Sequence, residues 1–262
     1  MNPEERQQKI LRDIDEIEDD LIPKLSQKYG VSEMTIRRDL KILEEKGQVM
    51  RTFGGAVRWP QPAVEGTLLA WHRRQKVGAA QKAQIGRYAA QHLVSDGNII
   101  ILEAGTTAGA MIEHLADKQD LTVVTNGFYT TGALLRLMPP TTTIICAGGM
   151  LQPDNATFVG PIAKRFFREF HAHRLFLSAT GISLQTGVSD PEMLETDVKQ
   201  AMVAAATEVI LLLDSSKFGI MSLMEVVELA RINLLVTDSQ APPAMVVELR
   251  ARGLDVVVAP DT

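Results

Sequence analysis

The 262-residue chain has a single cysteine, Cys146. One thiol excludes an intramolecular disulfide and a thiolate zinc cluster, and in an apolar strand it reads as a small buried hydrophobe. No apolar run approaches the length of a membrane span, and Met1 to Gln8 is polar and charged. Neither an anchor nor a signal peptide is therefore expected, and the cytoplasm is the expected location. An excess of positive charge is also missing, since the net charge is −5. That argues against a protein that coats nucleic acid indiscriminately and allows a local DNA-binding patch on an acidic body. Internal repeats and low-complexity segments are absent. His171 and His173 precede a strand with no third ligand nearby, so no metal is expected.

The most informative segment is VSEMTIRRDLKILEEKGQVMRTFGGAV, Val31 to Val57. Ser32 is placed as an N-cap, and a helix from about Glu33 to Lys46 puts Ile36, Leu40 and Leu43 on one face. Met34, Arg37, Arg38 and Lys41 fall on the opposite arc, with Ser32 and Thr35 at the N-terminal end that enters a major groove in helix-turn-helix proteins. Arginine pairs bidentately with guanine and either cation pairs with phosphate, so this arc suits an operator. Gly47 stops the helix. Gln48 to Thr52 and Ala56 to Arg58 read as a hairpin turning at Phe53-Gly54-Gly55, with Arg51 on the wing. Upstream, Pro23 opens a short helix through about Tyr29, and Gly30 makes the turn. The expected DNA-contacting set is Ser32, Glu33, Met34, Thr35, Arg37, Arg38, Lys41, Arg51 and Thr52. Asp13, Asp15, Glu16, Glu18, Asp19 and Asp20 form an acidic run just before the second helix, so only the half from Val31 onward is net positive.

The prolines and glycine of WPQPAVEG, Trp59 to Gly66, mark a linker. The expected organisation is a winged helix-turn-helix over 1–58, a linker over 59–75 and an α/β domain over 76–262. In that domain Ile99-Leu102, Leu121-Val124, Thr143-Cys146, Leu175-Leu177, Val209-Leu213, Leu234-Val236 and Val256-Val258 are apolar strands of the buried, parallel kind. Helices are expected at about Lys82-Leu93, Ala108-Leu115, Tyr129-Leu137, Ile162-Phe167, Glu195-Thr207 and Pro243-Arg252. This alternation means α/β with a mostly parallel sheet. Ser222 to Ala230 reads equally as strand or helix.

Ligands of such sheets bind at the carboxyl ends of strands. There stand Glu103-Ala104-Gly105-Thr106-Thr107, Thr125-Asn126-Gly127, Gly148-Gly149, Ser178-Ala179-Thr180-Gly181 and Asp214-Ser215-Ser216-Lys217-Phe218-Gly219. Gly105-Thr106-Thr107 leading into a helix offers N–H groups and hydroxyls to a phosphate, but without the lysine of a Walker A loop or a dinucleotide fingerprint. A small phosphorylated molecule fits better than a nucleoside triphosphate or NAD, and no cofactor is expected. Lys199 and Lys217 are candidate cations; Glu103, Asp190, Glu195 and Asp197 are carboxylates able to accept from sugar hydroxyls.

VSEMTIRRDLKILEEKG with RTFGGAV resembles the N-terminal signature of the DeoR family of bacterial transcriptional regulators. EAGTT at Glu103-Thr107, TN at Thr125-Asn126, Gly148-Gly149, Gly160, TGIS at Thr180-Ser183, ETDVKQAM around Lys199 and DSSKFG at Asp214-Gly219 resemble that family's sensor domain in the same order. The resemblance implies a sensor similar in fold to ribose-5-phosphate isomerase that binds a phosphorylated sugar or related intermediate. It departs from the family at Glu103, where Asp is common, near His173, and in the longer acidic connection before the second helix. The expected effector site is Glu103, Gly105, Thr106, Thr107, Asn126, Gly148, Gly149, Gly181, Lys199 and Lys217.

The function expected is a sequence-specific regulator of double-stranded operator DNA, a repressor of carbohydrate-metabolism genes acting as a dimer or higher homo-oligomer. The alternative is a sugar-phosphate isomerase carrying a winged helix, which would need a poised carboxylate base. No acid/base pair at fixed spacing supplies one, so no catalytic residue and no enzymatic activity are expected.

Overall fold

A computed structural model describes residues 2–13, 21–45, 49–52, 55–58, 71 and 73–261. The chain divides into two compact units, Met1–Glu65 and Gly66–Thr262.

The first unit holds α1 (Pro3–Asp13), α2 (Leu21–Tyr29), α3 (Glu33–Glu45) and an antiparallel pair, β1 (Val49–Thr52) with β2 (Gly55–Arg58). Ile10, Leu21, Ile22, Leu25, Ile36, Leu40, Leu43 and Val49 form its core. The apolar stripe of α3 thus faces inward at the spacing its sequence shows. Pro23 does not open α2, which begins at Leu21. The N–H groups of a first turn lack intrahelical partners, so the missing donor of proline is tolerated there. Gly30 has a φ of +63° and reverses the chain between α2 and α3. The expected helix stop at Gly47, the turn at Phe53-Gly54, the acidic residues Asp15 to Asp20 and the proline-rich linker lie outside the described residues.

The second unit is built on seven parallel strands in the order β14-β13-β11-β8-β3-β4-β5. They are β3 (Ile99–Leu102), β4 (Thr122–Thr125), β5 (Thr143–Cys146), β8 (Ala172–Leu177), β11 (Ala206–Leu212), β13 (Leu234–Thr237) and β14 (Asp255–Val258). Flanking helices are α4 (Ala79–Leu93), the short α5 (Thr106–Gly109), α6 (Phe128–Leu137), α7 (Gly160–Phe167), α8 (Met193–Ala205) and α9 (Pro243–Ala251). Apolar clusters cover both faces of the sheet, one including Ile101, Leu175, Leu177 and Leu211, the other Ile100, Leu102, Phe176 and Ile210. Adjacent residues of one strand fall in different clusters because side chains alternate across a sheet.

Four expectations change. The helix expected over Ala108-Leu115 is α5 followed by a 3-10 turn at Ile112–His114. Gly109, a weak helix former, stands where the α-helix ends. The helix expected through Thr207 ends at Ala205, because Ala206 and Glu208 already pair with Ala172 and Arg174 of β8. β8 itself starts at Ala172 rather than Leu175. His173 Nδ1 accepts the Ile99 N–H at 3.0 Å and Arg174 pairs with Glu208 at 2.6 Å, so polar side chains at the strand start conceal it. Cys146 is half-buried on the sheet's edge strand rather than fully buried.

Beside the parallel sheet lie two antiparallel additions. One is the hairpin β6 (Met150–Gln152) with β7 (Thr157–Val159). The other is the sheet β12-β10-β9, made of β9 (Gly181–Ser183), β10 (Gly187–Asp190) and β12 (Met224–Val227). The ambiguous stretch from Ser222 to Ala230 thus holds strand β12 and ends in a 3-10 turn that spans Leu229–Arg231.

Candidate functional site

On α3, Ser32 caps the helix: the Thr35 N–H donates to Ser32 Oγ at 3.3 Å, and the two hydroxyls lie 2.9 Å apart. Met34, Arg37, Arg38 and Lys41 are exposed, Met34 to 76% of its surface. Arg37 leans on Glu33 at 3.4 Å, an exposed i,i+4 pair of small energetic weight. Arg51 and Thr52 lie on β1. The helix is held from behind by a buried contact with α1, in which Arg6 Nε donates to Asp39 Oδ2 at 2.5 Å and Gln7 Nε2 to Asp39 Oδ1 at 3.2 Å. Asp39 sits between Ile36 and Leu43 on the inward face, so a polar residue there was a signal in the sequence. Lys28 pairs with Asp13 at 2.7 Å, which places the first acid of the acidic run against α2.

In the second unit, β3 turns to β4 and β5 on one side while β8, β11, β13 and β14 extend on the other. The strand order reverses between β3 and β8, and open α/β sheets bind ligands at such a point, beyond the strand carboxyl ends. A cleft of about 420 Å³ lies there, lined by Glu103 to Thr107 after β3 and Ser178 to Thr180 after β8. The β6–β7 hairpin contributes Gln152, Asn155 and Thr157; β10 ends at Asp190; α8 supplies Glu195 and Lys199.

The floor is a buried ionic network. Lys199 Nζ donates to Asp190 Oδ2 at 2.6 Å and to the Ser178 carbonyl at 2.8 Å, and lies 3.3 Å from Glu103 Oε1. Two of the ammonium's three donors are thus used in hydrogen bonds, and Glu103 adds an ion pair. Burial works against the Lys199 charge, yet Asp190, Glu103 and Glu195 together hold its pKa above the ordinary lysine value. Glu103 Oε2 accepts from the Gly105 N–H at 2.9 Å, Ser178 Oγ at 3.1 Å and the Ser178 N–H at 3.3 Å. Gly105 has no room for a side chain, because a Cβ there would stand 2.4 Å from Ser178 Oγ and 2.7 Å from Glu103 Oε2. Glu195 Oε1 accepts from Asn155 Nδ2 at 2.6 Å and Thr157 Oγ1 at 2.7 Å. Burial pushes its pKa up, against the pull of Lys199 and those two donors.

The rim is different. Arg73, Arg74, Lys82 and Lys217 line the same cleft, and among the described residues none of them pairs with a carboxylate. Burial lowers the Lys82 pKa; Asp214 opposes this, while Lys217 and Arg74 stand near enough to lower it further. The lining also includes the exposed acids Asp154 and Glu192, so an anion is favoured locally, where these four cations stand.

Residues 78–239 match the DeoR C terminal sensor domain, and residues 6–61 match the DeoR-like helix-turn-helix domain. The chain belongs to the DeoR family. The HTH-type transcriptional regulator GolR of Listeria innocua is 32% identical, over 99% of this chain and 100% of that protein. The putative aga operon transcriptional repressor of Escherichia coli O157:H7 is 30% identical, over 97% and 93%. Ribose 5-phosphate isomerase A of Methanocaldococcus jannaschii overlaps with a TM-score of 0.38 at 17% identity, covering 54% of this chain and 55% of that one. At that overlap the likeness bears on neither ligand nor reaction.

This DeoR-family chain is thus a DNA-binding transcriptional regulator with a sensor domain. Among the described residues no helix is long and apolar enough to cross a membrane. Of the residues expected at the effector site, Glu103, Gly105, Thr106, Thr107, Lys199 and Lys217 line the cleft. Asn126, Gly148, Gly149 and Gly181 do not. Asn126 is buried and donates to the Phe158 carbonyl at 3.3 Å. At Gly181 a Cβ would stand 2.4 Å from the Ile220 carbonyl oxygen, so close packing accounts for that glycine. Asp197 pairs with Lys164 at 2.7 Å and is not a lining residue. Sequence reasoning passed over Arg73, Arg74, Lys82, Asn155, Thr157 and the side chain of Ser178. Only Ser178 carried a signal, being in a strand-end loop. His173 lies at the amino end of β8, the end opposite the cleft.

Proposed function

We propose that the chain represses carbohydrate-metabolism genes by binding operator DNA as a homo-oligomer in the cytoplasm, and that a phosphorylated sugar or related intermediate in the cleft changes its operator affinity. Residues 1–58 are assigned to the operator, 59–75 to the linker and 76–262 to effector sensing. Ser32, Glu33, Met34, Thr35, Arg37, Arg38, Lys41, Arg51 and Thr52 are the proposed DNA contacts. The exposed cationic arc of α3, backed by a packed apolar face, supports this assignment. Two copies reading half-sites are the expected unit. The aga operon repressor among the relatives supports repression.

The observation that carries the effector reading is the division of the cleft. Its floor carboxylates are joined to Lys199, whereas Arg74, Lys82 and Lys217 gather at its rim. A phosphate suits the rim, with Thr106 and Thr107 beside it, and the polar floor groups suit hydroxyls. Glu103 is held by Lys199, Gly105 and Ser178, which leaves it poorly disposed to act as a mobile proton acceptor and favours a sensor over an enzyme.

The test is a calorimetric and thermal-shift screen of the full-length protein against pentose, hexose, ketose and amino-sugar phosphates, with the free sugars as controls. A native-state ligand raises apparent stability. Stabilisation by a phosphorylated sugar and not its parent, with a change in operator affinity, is expected. Equal response to the free sugars would overturn the phosphate assignment, and turnover of a sugar phosphate would overturn the non-catalytic one.

A further inference from the structure

Residues 73–76 are helical and precede α4. In sequence they lie at the sensor end of the segment 59–75 assigned to the linker. This segment is a wall of the cleft, to which it contributes Arg73, Arg74 and Val77.

Among the described residues, Arg74 fastens it through its guanidinium and its carbonyl. The Arg74 guanidinium donates to Asn155 Oδ1, with the Asp154 carbonyl 3.5 Å away. The Arg74 carbonyl accepts from Lys82 Nζ. Both fastenings therefore use a rim cation, and the acceptors are neutral groups. A bound phosphate oxygen is a stronger partner for either cation than a neutral carbonyl or amide oxygen, because it carries the opposite charge. Arg74 is exposed and free of carboxylate partners among the described residues, so little opposes its turning to an anion. Lys82 and Lys217 already press on the same region with like charge. Asn155 in turn donates to Glu195, so the fastening point is continuous with the cleft floor. Just before the segment, Trp71 packs on Tyr129 with ring centroids 4.6 Å apart.

We propose that residues 73–77 are the transmitting strap of the sensor: an anion in the cleft takes Arg74 from Asn155 and Lys82 from the Arg74 carbonyl, and so repositions the sensor end of the chain that leads to the DNA-binding unit. This rests on the anion reading of the cleft. Because the polar contacts of Arg74 and Lys82 use the cations that an anion recruits, occupancy and strap position are linked. By reciprocity, whatever fixes the strap alters anion affinity by the same factor.

The chain has two tryptophans, so full-length Trp59→Phe leaves Trp71 as the reporter. Inorganic phosphate is titrated at constant ionic strength while Trp71 emission and thermal stability are read together. Coincident midpoints are expected. Arg74→Ala in the same background is expected to raise the stabilisation midpoint by about tenfold, as for loss of one charged hydrogen bond, and to abolish the Trp71 response. Arg74→Lys is expected to retain part of both. Phosphate stabilisation with a silent Trp71, or an undiminished Trp71 response in Arg74→Ala, overturns the strap while leaving the anion site intact. Absence of any phosphate stabilisation overturns both.

Discussion

Replacing Lys199 by methionine tests whether the cleft floor is an ion network that stabilises the sensor. The ammonium is buried, 2.6 Å from Asp190 and 3.3 Å from Glu103, with Glu195 also acting on it. Methionine preserves much of the volume and leaves those carboxylates buried without their cation. Removing one partner of a buried pair costs about 3–5 kcal/mol. For a unit of this size about 2–4 °C of Tm accompanies each kcal/mol, so a fall of about 6–20 °C is expected in the sensor transition. The pH dependence carries the sharper test. Glu195 has a folded-state pKa above its ordinary 4.5, so the folded form binds a proton more tightly than the unfolded one. Its favourable contribution is full below 4.5 and disappears as pH rises through the folded value. Lys199 is the largest influence pulling that pKa down, so the variant should widen this window upward. Calorimetry of wild type and Lys199→Met across acid to neutral pH should show the deficit largest near neutrality and narrowing towards the ordinary carboxylate range. A loss below about 1 kcal/mol, the range of an exposed pair, or a pH-independent loss, would refute the account.

Arg37→Glu with Arg38→Glu should abolish specific operator binding, and the dependence of log K on log salt should flatten by about 0.9 for each phosphate no longer neutralised, measured by fluorescence anisotropy over a salt series. Survival of operator binding and its salt slope would remove α3 as the reading helix. Lys217→Ala should weaken effector binding by about tenfold to a hundredfold, the range for one charged hydrogen bond, and an unmoved calorimetric Kd would remove Lys217 from the site. Asp39→Ala leaves Arg6 buried without its carboxylate and should destabilise the DNA-binding unit by about 3–5 kcal/mol, read as an earlier denaturant transition.

The parallel sheet was legible because its central strands are buried and read as apolar runs, as at Ile99-Leu102; the edge strand Thr143-Cys146 is only partly buried, yet its apolar residues also agree with the observed limits. The inward face of α3 was legible for the corresponding reason, since three apolar residues recur at helical spacing. β6, β7, β9 and β10 were not, because pieces such as Met150–Gln152 and Gly181–Ser183 are too short for an alternating pattern. That omission concealed Asn155 and Thr157, which the β6–β7 hairpin brings to Glu195 from about forty positions away. Lys199 was recognised as a candidate cation, but a single sequence does not reveal that it donates to Asp190 and the Ser178 carbonyl and pairs with Glu103.

The separation of a compensated floor from an uncompensated rim also explains why one cleft can be both stable and responsive. Had Lys199 been the cation that meets the effector, an empty cleft would leave Glu103 and Asp190 buried without a counter-charge, at a cost of several kcal/mol. Had the rim cations been paired with carboxylates, an anion would have to displace those partners and would gain little. Here Glu103 and Asp190 are met by Lys199 within the protein itself, while Arg74 and the buried Lys82 hold only the neutral acceptors Asn155 and the Arg74 carbonyl. An arriving phosphate then competes against weak partners, and what it displaces belongs to the segment next to the linker. A ligand shifts an equilibrium only by its differential affinity for the two states. In this cleft that difference resides in the rim and the strap, and the floor supplies the fixed frame against which they move.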